Sequence, residues 1–271
     1  TLQAAILAAT LGATLTGQSP PPLRDINKTP VDNGDTVTSN PFRAIFNNEV
    51  FFAGTNIDHG QEVLRTDGVT IGLLGGIEMD VGDSPRLPAP RELVSDGNGN
   101  LYFTAYIGNT GRELYKWNGV QTVLVDDTLP GNPRDTDPDS IIGPTGLFAW
   151  NGNVYYTHSD GVNGRELWRS DGTTTTMIDD LVPGPDAGLS SSIEFVDGGP
   201  GTLYFATAEG LFKTTGFPGL GTTVLVDPAA TVTGIQEMEL FGSNLMFQAN
   251  DAAGYTNGGI PVGIELLQFN G

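Results

Sequence analysis

The feature that most constrains this chain is a repeat of about fifty residues. The segments GQEVLRTDG (60–68), GRELYKWNG (111–119), GRELWRSDG (164–172) and GIELLQFNG (263–271) share a Gly-x-Glu start, then Leu or Val, and a closing glycine. The last gap is two periods long, and EGLFKTTG (209–216) fills its middle as a worn copy. A short apolar run precedes each copy: VFFAG (50–54), LYFTA (101–105), VYYTH (154–158), LYFAT (203–207) and LMFQA (245–249). Runs such as TVLVDD (122–127), TMIDD (176–180) and TVLVD (223–227) follow. Another set alternates between them: RAIF (43–46), RELV (91–94), GLFAW (146–150), SIEFV (192–196) and EMELF (237–241).

Each unit therefore holds four strands of about five residues, and four strands at this period are the mark of a propeller blade. The expected fold is all-β: a five-bladed β-propeller of four-stranded blades. A solenoid would need shorter repeats and capping units. The Asp-Gly and Asn-Gly pairs at 67–68, 118–119, 171–172 and 270–271 predict type I′ hairpins, with positive φ at both central positions. The last unit stops after its third strand, and PPLRDINKTP (21–30) matches the fourth-strand pattern of TMIDDLVPG. Residues 21–26 are thus expected to complete the last blade and close the ring, with 21–271 as the propeller and 1–20 as an apolar arm or signal remnant.

GRELWRSDGT (164–173), with IDDLVPG after it and LYF later, resembles the bacterial ELWxxDGT repeat family. The other copies depart from it, with Leu64, Tyr115 and Leu267 in place of Trp168. The resemblance implies an exported, propeller-like protein of the bacterial cell surface or exterior, and it implies no reaction.

Charge narrows the partners. Lys and Arg number 12 against 32 Asp and Glu, a net charge of −20. Binding to nucleic acid needs phosphates neutralised by Lys and Arg, so nucleic acid is excluded as a partner, and association of the mature chain with anionic membrane is disfavoured. With no cysteine there is no disulfide framework, iron–sulfur cluster or thiolate zinc site. No cofactor is expected, calcium being the one candidate.

The glutamates Glu62, Glu113, Glu166 and Glu265 recur once per unit, which points to a structural task such as accepting hydrogen bonds from a neighbouring turn, shared with Arg112 and Arg165. Trp168 and its equivalents read as packing between blades. Trp117 and Trp150 do not repeat, so they are the candidates for exposed ligand contacts. Asp135, Asp137 and Asp139 have the alternate spacing of a calcium loop, although Ser140 and Gly146 break the helix–loop–helix pattern; a solvated acidic loop is the other reading. Asp126-Asp127 and Asp179-Asp180 read as turn caps. His59 and His158 read as surface residues, and no nucleophile elbow or triad is present.

Residues 1–17 carry no charge and no aromatic ring. They read as a signal remnant, a tail packed on the propeller, or an arm docking on another copy. The leading expectation is a non-enzymatic extracellular surface or adhesion module, self-associating or bound to another surface protein through this arm. The alternative is a lectin-like propeller binding carbohydrate. A third is a carbohydrate-active enzyme, which requires non-repeated carboxylates converging on the channel.

Overall fold

The computed structural model describes residues 43–56, 60–74, 90–106, 112–127, 143–219, 222–228, 232–251, 256–257, 260–261 and 264–270. Residues 1–20, the proposed closing strand 21–26, His59 and the triplet Asp135, Asp137 and Asp139 lie outside them. All regular structure among the described residues is β-strand. No helix there is long and apolar enough to cross a membrane.

Five antiparallel sheets follow one another along the chain. The first is β1 (Arg43–Phe46), β2 (Glu49–Asn56), β3 (Gly60–Thr66) and β4 (Ile71–Leu73). The second is β5 (Arg91–Ser95), β6 (Leu101–Tyr106), β7 (Arg112–Trp117) and β8 (Thr122–Asp126). The third is β9 (Thr145–Trp150), β10 (Asn153–Ser159), β11 (Arg165–Ser170) and β12 (Thr175–Asp179). The fourth is β13 (Glu194–Asp197), β14 (Leu203–Thr207), β15 (Gly210–Thr214) and β16 (Thr223–Pro228). The fifth joins β17 (Val232–Phe241), β18 (Asn244–Asp251) and β21 (Ile264–Asn270), with a small hairpin of β19 (Thr256–Asn257) and β20 (Ile260–Pro261) inserted between the last two. Among the described residues four sheets hold four strands each and the last holds three, in step with the repeat.

Alternation assigns each strand one face toward the preceding sheet and one toward the next. Phe51, Tyr102, Tyr155 and Tyr204 point forward, whereas Phe103, Tyr156, Phe205 and Phe247 point back, so the core is a series of layers between sheets. Phe46, Phe51 and Val63 meet Leu101, Phe103 and Tyr115 between the first two sheets. Tyr102 and Leu114 meet Val154 and Tyr156 in the next layer, and Trp168 joins them as a packing residue. Each large ring so buried contributes about 1.5–3 kcal/mol. The first strands of successive sheets lie side by side, β1 by β5, β5 by β9, β9 by β13 and β13 by β17.

The turns correct one expectation. Gly68, Gly119 and Gly172 have φ near +90°, but Asp67, Asn118 and Asp171 do not share it, so these are not type I′ hairpins. Instead Asp171 Oδ1 accepts the N–H groups of Thr173 and Thr174, both at 2.8 Å, and Asp67 and Asn118 do the same in their sheets. The side chain, not a mirror-image backbone, closes the turn. Positive φ at both central residues occurs in the hairpins between first and second strands, at Asn47-Asn48 and Asn151-Gly152. Gly172 and Gly216 are required for a second reason. A Cβ at either would collide with a tyrosine hydroxyl of the preceding sheet, Tyr102 or Tyr155.

Candidate functional site: an acid-lined cavity on the first strands of the last two sheets

The predicted ligand residues are not exposed. Trp117 is only 5% and Trp150 6% accessible. The Trp117 ring lies 5.5 and 5.3 Å from Phe46 and Phe51, under the Arg65 guanidinium. Trp150 packs on Tyr155 and donates its indole N–H to Asp197 at 2.9 Å. Both rings fill space between sheets, where a large side chain gains most from burial. His158 is also buried, beside Trp168, rather than on the surface. Among the described residues, the exposed aromatic rings are Phe217 and Phe241.

In the third sheet the repeated glutamate performs the structural task that its periodicity implies. The Glu166 carboxylate is fully buried and accepts the N–H of Leu181 at 3.1 Å and of Gly188 at 3.0 Å, pinning the connection to the fourth sheet. Burial pushes its carboxyl up to about 7, against the pull of these donors. Arg165 does not share this task, because adjacent strand residues face opposite ways. It donates to Thr157 O, Thr157 Oγ1, Thr145 Oγ1 and Gly143 O at 2.9–3.1 Å, and burial lowers its pKa to about 10. The aspartates predicted as turn caps act between sheets. Tyr156 donates to Asp126 at 3.1 Å, and the Thr223 N–H to Asp179 at 3.2 Å. Burial raises Asp126 to about 6.

A second set of glutamates, hidden from the repeat, works along the first strands of the sheets. Glu92, at φ 57°, and Glu237, at φ 56°, sit in bulges of β5 and β17, where Gly146 stands in β9. The Glu92 carboxylate accepts the Leu147 N–H of the next sheet at 2.9 Å, and burial raises its pKa. Glu194 likewise accepts the N–H groups of Glu237 and Met238 at 3.0 and 2.8 Å.

Beside this last contact opens a cavity of about 520 Å³, lined by Glu194, Gln236, Glu237, Met238 and Glu239. Glu194 is occupied by two backbone donors, whereas Glu237 and Glu239 are exposed and their carboxylates face solvent. The lining offers carboxylate and amide oxygens as hydrogen-bond acceptors, amide N–H donors from Gln236, and no cationic side chain. Such a surface suits a ligand rich in hydroxyl or ammonium donors and repels anions. Among the described residues no group of three or more His, Cys, Asp or Glu is placed to hold a metal ion. The repeat did not mark these cavity residues, because Glu237 falls in the β17 bulge and the second and fourth units carry acids in the matching runs as well.

No family model and no curated protein matches the chain. It is similar to solved structures at low identity. One is a GH74 xyloglucanase from Xanthomonas campestris (13% identity, 75% of this chain and 31% of that one, TM-score 0.43). Another is a lectin from Aleuria aurantia, in complex with α-methyl-L-fucoside (9%, 84% and 74%, TM-score 0.40). A third is a PL25 ulvan lyase (10%, 89% and 70%, TM-score 0.44). The chain spans about a third of the xyloglucanase's length. Likenesses this distant assign no activity. They do overturn one expectation, that the chain is not an enzyme: polysaccharide-cleaving enzymes stand among its structural neighbours. The physical reason is that carboxylate chemistry on sugars needs two acids placed by the fold and leaves no local motif, so lacking a motif excludes nothing.

Proposed function

We propose that the five sheets are the blades of a five-bladed propeller and that the cavity on its inner strands binds carbohydrate. The observation that carries this reading is the lining itself: free carboxylates and an amide in a cavity of about 520 Å³, without a single cation. Sugar hydroxyls donate to carboxylate oxygens, and an amino sugar adds charge attraction. The net charge of −20 strengthens the preference against uronic and sulfated sugars. The ligand is therefore a neutral or amino-sugar glycan. Glu237, free and set by its bulge to face the cavity, is the principal acceptor.

A glycan array carrying neutral, amino-sugar and anionic chains, followed by calorimetry on the hits, tests this. Binding confined to the first two classes, weakened about tenfold or more by Glu237→Gln, is the expected result. An array without hits, or hits that Glu237→Gln leaves unchanged, rejects the site. Assay of the same glycans for new reducing ends shows whether binding leads to cleavage.

A further inference from the structure

The inner strands of the first and last sheets carry exposed side chains of complementary chemistry. Phe241 of β17 is 78% and Ile45 of β1 54% accessible; Glu239 and Arg43, each two residues earlier on the same strands, are exposed as well. Register relates these four to a seam elsewhere in the molecule. Phe241 and Trp150 pair with Asn244 and Asn153, the residues just before the runs LMFQA and VYYTH. Glu239 and Phe148 pair with Met246 and Tyr155, the second residues of those runs. On the receiving side, Ile45 and Asp197 pair with Val50 and Leu203, which open VFFAG and LYFAT. Arg43 and Phe195 pair with the third residues, Phe52 and Phe205.

Between the third and fourth sheets the corresponding residues touch. Phe148 stacks on Phe195 at 5.4 Å, and Trp150 donates to Asp197 at 2.9 Å. We infer that the forward face of the fifth sheet docks on the backward face of the first by the same register, with Glu239 on Arg43 and Phe241 on Ile45. An acid meets a base and an apolar ring meets an apolar chain, on a molecule with only 12 cationic side chains. The occupant is the first sheet of the same chain. Successive sheets approach mainly through their first strands, so in the proposed ring each sheet is a wedge that narrows toward the row of first strands. Five such wedges bring the last face round to the first, whereas the same faces joined between copies make a head-to-tail contact that runs on unless it closes.

This inference rests on the ring reading above, not on the carbohydrate. It leaves Glu237 as the cavity's free carboxylate, since Glu239 is drawn into the seam and brings Arg43 to the cavity's rim. The carbohydrate reading then stands on Glu237 and Gln236 rather than on a lining free of nearby cations. The chain has no cysteine, so Ile45→Cys with Phe241→Cys gives a single reactive pair. A short bismaleimide is expected to link them within one chain, giving a monomer of faster mobility, much more quickly than it links Ile45→Cys with Val120→Cys. Linked dimers, or linking no faster than in that second pair, overturn the seam. Independently, Glu239→Arg is expected to lower Tm by roughly 3 °C, and adding Arg43→Glu to recover at least half of that. A Tm unmoved by Glu239→Arg, or a swap without recovery, overturns the charge pair. A chain that links within itself yet binds no glycan overturns the carbohydrate reading alone.

Discussion

The third and fourth sheets are built on one pattern, and the fourth has lost half of it. Leu167, Trp168, Arg169 and Ser170 of β11 correspond by register to Leu211, Phe212, Lys213 and Thr214 of β15. The turn glycines Gly172 and Gly216 correspond too, and each carbonyl is held by a cation of the preceding sheet, Lys116 at 2.8 Å or Arg169 at 3.3 Å. Yet Glu209 and Gly210 stand where Arg165 and Glu166 stand. The fourth sheet forms without either buried charge. Apolar alternation and turn glycines therefore make the sheet, while the buried Arg and Glu fix the connections around it. Glu209 shows a reduced version of that role, accepting the Ser190 N–H at 3.0 Å at an exposed site.

The two sheets differ most at Arg165. Arg165→Leu strips donors from Thr157 O, Thr157 Oγ1 and Gly143 O, all within a buried contact. Unpaired buried acceptors make this cost about 3 kcal/mol, read by urea unfolding. Glu209→Ala, at the corresponding place, is expected to cost less than about 0.5 kcal/mol. Equal costs would mean that the worn copy has replaced the lost network rather than dispensed with it.

Glu166 gives the next effect, through pH. Its folded carboxyl titrates near 7, above the ordinary range, so the folded chain holds the proton more tightly than the unfolded one. The associated stability is full below about pH 4.5 and is lost as pH rises through 7. Each unit of displacement corresponds to about 1.4 kcal/mol, and allowing for residual solvent screening the swing is about 2 kcal/mol. Glu166→Gln should flatten this part of the stability profile between pH 4.5 and 7.5. If the profile keeps its slope, the titrating group is another, such as Asp126, raised to about 6.

Next comes the turn glycine shared by both sheets. Gly216→Ala places a Cβ against the Tyr155 hydroxyl and the Trp150 ring at φ 74°, and should cost about 2 kcal/mol. Gly97→Ala, at φ 73° with nothing nearby, should cost about 1 kcal/mol. Their difference isolates the contact from the backbone.

These pairs also show what the sequence could reveal. Strand count and phase follow from period-two alternation and turn residues, which act locally. The role of Glu166 follows from repetition, since a group that recurs in unit after unit serves the unit. Lack of repetition, however, was a poor guide to exposure. Trp117 occupies the place of Thr66 and Ser170, where the neighbouring Phe46 and Phe51 leave a gap for a larger ring. Glu92 and Glu194 were hidden because bulges shift the register by one residue, so equivalent acids do not align in the chain. The acid-lined cavity shares that cause: Glu237 is the bulge residue itself.

The smallest difference lies in the turn cap. Asp171 holds two N–H groups, and these donors keep its carboxyl below the usual range. The fourth sheet has Thr215 there, opening a longer loop that ends at Thr222, so no carboxylate spans it. Asp171→Ala should cost at most about 1 kcal/mol at pH 7, because the site is exposed and water replaces part of what is lost. A group with a depressed folded pKa stabilises above its unfolded value near 3.8 and loses that effect as pH falls. The cost of Asp171→Ala should therefore fall as pH drops below 3.8, toward what a neutral cap such as Asn118 supplies, whereas Thr215→Ala should show neither the cost nor its pH dependence. Should Thr215→Ala cost as much as Asp171→Ala, the cap is not what distinguishes the two turns, and loop length alone must account for the worn copy's different closure.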